Sequence, residues 1–521
     1  MTELSIPRPA AARLRSLDTA DLSQVAIWVY LAVAVGAGIF VRLWQINALG
    51  FNSDEAVYAG QAASIAHDPE LSKFFPVFRA HPLLFQSILS LGFQFGVSDL
   101  FGRLLSAGFG VATVILAYQL GSQLYGRRAG LFAGLFMALM PYHVIVSRQV
   151  LLDGPMVFFS TLTLYLLARY ALSGRAAWLY GAGAAMGLTF LSKETSILLL
   201  GAMYAFFALS PSVAIRLRDG LISLGIMALV ILPFPISVLL AGRSDTGGQY
   251  LVWQLFRRPN HDWMFYPSEV PWAIGPLLIV VALAGLWLLR KERSWRETLL
   301  LSWIVVPALF FQLWPVKGFQ YLLPIAPAFA VLAGRTLARW SVDADLGSIG
   351  KRLANAWVGP VLASVIALSL LIPAWQRVQP AQTDSFLAGS GGVPGGREAG
   401  AWINENVPEG GQILTIGPSM GNIVQFYGHR KAYGLAVSPN PLHRNPAYEP
   451  VDNPDLLIRS NELQYIVWDS FSADRSSFFS DKLLRYADRY HGRVVHTQTV
   501  TVDGPDGETQ KEIIVIYEVR P

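Results

Sequence analysis

The sequence predicts an α-helical polytopic membrane protein of about eleven transmembrane helices, followed by a C-terminal soluble α/β domain. Three observations predict it. Hydrophobic residues make up 53% of the 521 residues and charged residues only 14%, against about 25% charged in an average soluble domain. Mean hydropathy is +0.41 over the whole chain, more apolar surface than a soluble fold of this size can hide. Apolar stretches of the ~17–25 residues that cross hydrocarbon as a helix then recur up to about residue 375. The aromatic content of 12% excludes a disordered or fibrous chain. The absence of cysteine excludes a disulfide framework, a thiolate metal site and a cysteine nucleophile. The formal balance of 40 basic against 35 acidic residues, net +5, sets topology in such a protein and implies no nucleic-acid partner.

In chain order, residues 1–23 are polar, carry Arg8, Arg13 and Arg15, and read as a cytoplasmic tail with no cleavable signal. Spans are expected at about 24–46, 101–122, 129–147, 154–170, 176–192, 195–210, 218–240, 271–290, 298–315, 320–337 and 354–374. The basic breaks (Arg127-Arg128, Arg169 to Arg175, Arg216 to Arg218, 290–297 and Arg335 to Arg352) should face the cytoplasm. Segment 81–99 is apolar enough to span, but Gln86, Ser90, Gln94 and Ser98 draw a polar stripe along it, which suits a helix lying in the interface. Counting it as interfacial places all five basic breaks inside. The expected protein sits in the plasma (inner) membrane with its N-terminus cytoplasmic. Its outer face then holds the first outer loop, 47–100, the loops 148–153, 241–270 and 315–319, and the turn at 192–195. Residues 24–375 form the membrane domain. Residues 376–397, with "GSGGVPGG", read as a linker. Residues 398–521 read as an extracytoplasmic α/β domain, with strands at 412–417, 463–469, 493–500 and 512–519 and helices at 397–406 and 476–490.

The outer loops hold most of the unusual polar residues. In "FNSDEAVYAG" Asp54 and Glu55 fall in the first turn of a helix. Asn52 with Glu55 has capping-box spacing, so plain helix punctuation competes with a general base at the membrane surface. Arg79 and His81 precede Pro82, either as interfacial anchors or as part of a site. Arg148 and Asp153 flank the end of one span and the Gly154-Pro155 start of the next; intramembrane charges usually face protein or water. Lys193 and Glu194 interrupt a long apolar hairpin, as a wet tip or as site residues. Arg257, Arg258 and His261 lie among Trp253, Phe256, Trp263, Phe265 and Tyr266, as an aromatic belt or as a phosphate clamp suited to arginine's planar fork. Lys317, in "WPVKGFQYLLPIAP", breaks the positive-inside pattern and is a candidate second phosphate contact. Acids and cations on one side of a membrane suit transfer chemistry on a lipid-linked phosphate.

The order of these motifs resembles the GT-C superfamily of membrane glycosyltransferases, nearest to protein O-mannosyltransferases and to the bacterial enzyme that adds 4-amino-4-deoxy-L-arabinose to lipid A. The match covers about residues 24–340. It rests on "SDEAVYAG", on "HPLL" where the family has "HPPL" or "KPP", on Arg148 with Asp153, on Lys193, and on Lys317, Gly318, Tyr321, Pro324 and Pro327. Leu83 replaces the second proline of the family element, which loosens the role of His81.

The resemblance implies spans around a cavity open to the outer face and to lipid. It implies a polyprenyl-phosphate-linked sugar donor and a protein, polysaccharide or lipid acceptor. The catalytic residues would be Asp54, Glu55 and Asp153. Lys193, Arg257, Arg258 and Lys317 would bind the donor phosphate, with His81, Arg148, His261 and Tyr321 in support. No cofactor is required by such a scheme. Mg²⁺ or Mn²⁺ on the carboxylates is conceivable, as in some members, but the first loop lacks Asp-x-Asp spacing and no metal is expected. A polyprenyl-lipid transporter or flippase is the competing class; repeat halves with broken helices would mark it, and none is evident. A non-catalytic scaffold is the third.

Overall fold

The structure is a computed structural model, described for residues 24–77, 81–240, 250, 253–254, 256–340, 358–380, 394–445, 448–504 and 507–521. The N-terminal tail, Arg79 and most of the linker lie outside these residues. The membrane part runs α1 (Gln24–Leu43), α2 (Ser53–Ile65), α3 (Leu84–Phe93), α4 (Asp99–Tyr125), α5 (Arg127–Leu139), α6 (Pro141–Ser147), α7 (Asp153–Ser173), α8 (Ala176–Ser192), α9 (Leu199–Leu209), α10 (Leu217–Ile231), α11 (Pro233–Leu240), α12 (Phe265–Ile274), α13 (Pro276–Leu288), α14 (Trp295–Leu313), α15 (Ala326–Trp340) and α16 (Val358–Arg377).

In their described residues all eleven expected stretches are mainly helical, and by length and composition fewer of them qualify as spans. Among the described residues six helices are long and apolar enough: α4, α7, Leu217–Leu240, α14, Phe319–Arg339 and Gly359–Arg377. Two bent pairs, α5–α6 at 57° and α12–α13 at 91°, raise the number to eight. Ala32–Leu43 and Glu194–Leu209 are shorter apolar helices, and α8 has 17 residues, about 25 Å at 1.5 Å per residue against ~30 Å of hydrocarbon. Both bends have local causes. Pro141 cannot continue the ladder of α5 and opens α6 instead. Gly275 sits at φ +106°, where a side chain is strained, and a Cβ there would lie 2.3 Å from Leu370. Small residues also permit close helix approach: a Cβ on Gly121 of α4 would meet the Gly130 backbone of α5 at 2.9 Å.

Helix α3 has ten residues, too few to cross. Part of its polar stripe packs against the neighbouring helix. Gln86 and Ser90 are buried, and Gln86 donates to Gln61 of α2 at 3.1 Å, while Leu91 and Phe95 are exposed. Gln86 and Ser90 thus share the buried face with Phe85, Leu89 and Phe93, while Gln94 is exposed beyond the helix end.

Several long helices carry unlike ends. At one end of α4 stand Asp99 and Arg103; at the other, Tyr125 donates to Glu297 (2.8 Å), which also pairs with Arg335 (3.1 Å). Helix α7 starts at Asp153 and carries Arg169 near its far end, and α8 ends beside Lys193. The basic breaks thus lie at the opposite helix ends from the acids of the outer loops.

The C-terminal part comprises α17 (Gly396–Asn406), β1 (Gln412–Thr415), α18 (Pro418–Gly428), β2 (Ala432–Gly434), α19 (Pro454–Arg459), β3 (Leu463–Asp469), α20 (Ser470–Arg475), α21 (Ser477–Arg489), β4 (Arg493–Gly504) and β5 (Gly507–Glu518). The sheet has the order β2-β1-β3-β5-β4, parallel across β2-β1-β3 and antiparallel across β3-β5-β4. This domain docks on the segment between α1 and α4. Phe426 of α18 joins the core formed by Phe51, Ala59, Phe75, Phe85 and Val150, its ring 5.3 Å from Phe51. Tyr427 donates to Asp99 (2.5 Å) and accepts the Phe51 amide (2.7 Å). Arg397 pairs with Asp99 at 2.8 Å and donates to the Leu49 carbonyl.

Candidate active site

The start of α2 is built around a capping box. The Asn52 side chain accepts the Glu55 amide (2.9 Å) and Glu55 accepts the Asn52 amide (3.0 Å). Asn52 also donates to Gln149 at 2.7 Å, tying the first outer loop to the 148–152 loop. Glu55 is fully buried. Its oxygens take Arg103 Nε (3.0 Å), Arg103 Nη2 (2.8 Å) and the Val150 amide (2.9 Å). Arg103 spends its remaining donors on the carbonyls of Ile46, Leu49 and Gly50. Arg148 donates to the carbonyls of Val41, Arg42 and Trp44, closing the C-terminal end of α1. The sequence reading places Glu55 with the catalytic acids and Arg148 with their supports. In the structure Glu55 is engaged by Arg103 and by the Asn52 and Val150 amides, and Arg148 by three carbonyls of the α1 end.

Asp54, adjacent to Glu55, is half-buried and belongs to a second cluster. Lys193 contacts both carboxylate oxygens of Asp153 at 2.9 Å, and both residues are buried. The Lys193 ammonium lies 4.8 Å from the Tyr321 ring centroid. His81 Nδ1 is 3.0 Å from Glu194 and its Nε2 is 3.0 Å from the Tyr250 hydroxyl, which accepts from Gln254 at 2.5 Å. With Glu194 ionised, Nδ1 carries the proton and Nε2 accepts from Tyr250. Tyr58 links the groups: desolvation, then the charges of Asp54, Asp153 and Glu194 with Tyr250 among them, hold its phenol well above the usual tyrosine value. Tyr58 and Tyr250 escaped the sequence reading. Tyr58 had a legible signal, four residues after Asp54 and so on the same helix face. Tyr250 had none.

The remaining cations divide. Lys317 is buried, donates to the carbonyls of Gln312 (3.0 Å) and Trp314 (3.1 Å), and lies 5.5 Å from the ring centroids of Trp263 and Tyr266. It pins its own turn, which Asn260 clips to the 257–263 loop through the Lys317 amide and carbonyl. His261 stacks on Phe265 at 4.0 Å. Arg257 is half-buried against Trp253 and reaches Gln254 only at 3.4 Å; Arg258 is exposed. Among the described residues no three His, Asp or Glu side chains gather as a metal site would require.

The site therefore joins Asp54, Asp153, Lys193, Glu194, His81, Tyr321, Tyr58 and Tyr250 at one end of the bundle, with Arg257 at its rim. The family of dolichyl-phosphate-mannose-protein mannosyltransferases matches residues 80–238. An undecaprenyl phosphate-α-4-amino-4-deoxy-L-arabinose arabinosyl transferase of Pseudomonas fluorescens is 26% identical over 320 residues, covering 57% of this chain and 56% of that one. An uncharacterized protein of Aquifex aeolicus is 26% identical over 348 residues, 62% of this chain and 66% of its own. The chain thus matches less than two thirds of the length of these relatives. ArnT of Cupriavidus metallidurans, solved bound to undecaprenyl phosphate, superposes with a TM-score of 0.64 over 95% of this chain and 98% of its own, at 16% identity. The likeness to ArnT is one of fold. Its architecture, a helical membrane part followed by a small C-terminal sheet, is shared with that solved structure, and among the described residues six helices, or eight counting each bent pair as one span, are long and apolar enough to cross.

Proposed function

We propose that this GT-C protein transfers a sugar from a polyprenyl-phosphate carrier to a hydroxyl-bearing acceptor on the non-cytoplasmic side of the plasma membrane. The observation that carries the reading is the shared end of the bundle: Asp54, the Asp153–Lys193 pair and the His81–Glu194 pair meet there. The basic breaks sit at the other end, which by the positive-inside tendency is the cytoplasmic one. In the scheme Asp54 takes the proton of the acceptor hydroxyl as that oxygen attacks the anomeric carbon. The phosphate leaves from the opposite face and the configuration inverts. A phosphodiester carries one negative charge, and the departing monoester carries about 1.5–2 by analogy with protein phosphates. Nearby cations then hold the transition state more tightly than the ground state, and the difference lowers the barrier.

Arg257 and Arg258 are the cations assigned to the phosphate at the rim. Lys193, with two of its three protons directed at Asp153, serves with Asp153 to orient the reacting groups. No metal or other cofactor enters the scheme, so EDTA should leave turnover unchanged. The sugar donor, the acceptor and the orientation of the chain belong to this proposal. The decisive test is Asp54→Asn in a strain lacking the gene. The envelope product that wild type restores, followed by mass analysis, should stay absent. The purified variant should bind undecaprenyl phosphate like wild type. Restored product would refute the base assignment.

A further inference from the structure

The small domain is docked with a particular edge toward the site. In its parallel part the strand order β2-β1-β3 reverses direction at β1, and in open α/β sheets ligands sit at the carboxyl ends of the strands where the order reverses. The segments that leave those three carboxyl ends lie toward the membrane part's loops. Asn422, in α18 after β1, is buried and donates to Ser53 Oγ at 3.0 Å, one residue before Asp54. Tyr448, in the segment after β2, hydrogen-bonds Asn422 and lies within electrostatic reach of Asp54 and Arg257. Arg475, at the end of α20 after β3, lies within electrostatic reach of His261. One face of the domain thus covers the Asp54 side of the site and its phosphate rim together.

We propose that the C-terminal domain completes the acceptor side of the transfer site, with Tyr448, held by Asn422, as the residue that positions the acceptor hydroxyl over Asp54. This inference rests on the function proposed above and adds to it the residues that would select the acceptor. A phenol beside a carboxylate can share an incoming hydroxyl with it: the phenol donates to the hydroxyl oxygen while the carboxylate accepts its proton. Burial, and then the Asp54 charge, push the Tyr448 phenol up to about 12, against smaller opposite pulls from Asn422 and Arg257, so it remains a donor at neutral pH. The bond from Asn422 to Ser53 makes the position of Tyr448 depend on α2 itself, the helix that carries Asp54.

The test compares Tyr448→Phe, which keeps the ring and removes the hydroxyl, with wild type and Asp54→Asn in the full-length protein. Three quantities are read: envelope product in the deletion strain by mass analysis, affinity of purified protein for undecaprenyl phosphate, and thermal stability in detergent. Tyr448→Phe should lower product at least tenfold while undecaprenyl phosphate affinity stays within about twofold and the melting temperature within about 2 °C, the ring being kept in place. Product within twofold of wild type overturns the inference. Lost product accompanied by weaker undecaprenyl phosphate binding or a lower melting temperature also overturns it, since Tyr448 would then merely hold the domain in place. Product from Asp54→Asn would sink the proposed function instead, whatever Tyr448→Phe does.

Discussion

Replacing Glu55 by leucine, Arg103 by methionine, and then both together separates two neighbouring acids that the sequence leaves equivalent. Glu55 accepts four hydrogen bonds, from Arg103 Nε and Nη2, the Val150 amide and the Asn52 amide, at 2.8–3.0 Å. Both partners of the ion pair are almost wholly out of solvent, with side-chain exposures of 3% and 1%. Removing one partner of such a pair costs about 3–5 kcal/mol, because the other charge stays buried and unpaired. Glu55→Leu also orphans the Val150 and Asn52 amides, at about 1–3 kcal/mol each. The Arg103 single variant should fall in the 3–5 kcal/mol range and the Glu55 single variant at or above it. The double variant should recover about 3 kcal/mol relative to the sum of the singles, since no charge is left behind. Reversible unfolding in mixed SDS micelles, followed by the tryptophan signal, measures all three. Undecaprenyl phosphate binding below the transition reports whether the site survives. Glu55→Leu with wild-type stability and no transfer would refute the reasoning, and would return Glu55 to the chemistry beside Asp54.

Arg257→Ala should weaken undecaprenyl phosphate binding about ten- to a hundredfold, the worth of a charge-assisted hydrogen bond of 1.5–3 kcal/mol. Arg258→Ala should weaken it less, because Arg258 is exposed and screened; equal losses would argue against Arg257 as the main contact. Gly275→Ala forces an L side chain to φ +106° and into Leu370, so it should lower stability by about 1–3 kcal/mol or more; an unchanged melting temperature would show that the 91° bend tolerates a different backbone. In the small domain, burial raises the Asp469 carboxyl to about 6, against smaller lowering by its bonds from Ser472 and by Arg475. The folded state then binds more protons than the unfolded one between about pH 4 and 6. Stability of this domain should fall by about 2–3 kcal/mol as pH rises through that window. Asp469→Asn, which can still cap α20, should flatten the dependence. Hydrogen exchange of β3 and β5, corrected for intrinsic rates, follows it.

Much of the small domain was legible because strands announce themselves by local alternation and β-branched content: "LQYIVWD" is β3 over Leu463–Asp469 as expected, 493–500 lies within β4, and 512–519 runs one residue past the end of β5. Four elements were not legible, the six-residue α20 (Ser470–Arg475) among them. Helix α18 begins with Gly417-Pro418 and contains two further glycines, a turn-like signature overridden by packing against α2. Strand β2 has three residues, and α19 has six. In the membrane part hydropathy registers apolar length but not the bends at Pro141 and Gly275, which depend on backbone geometry.

By itself the sequence determined the solvent this protein lives in, the charge asymmetry between helix ends, the order of the motifs, and the pairing of Asn52 with Glu55 as a helix cap. Those are properties of composition and of spacings up to about four residues, which local physics fixes. Only the tertiary structure decided what each charge faces. Glu55 and Arg103 stand 48 positions apart, Asp153 and Lys193 40, His81 and Glu194 113, and Ser53 and Asn422 369. A buried charge is tolerable only where a partner meets it, and across such separations the partner is chosen by how the helices pack.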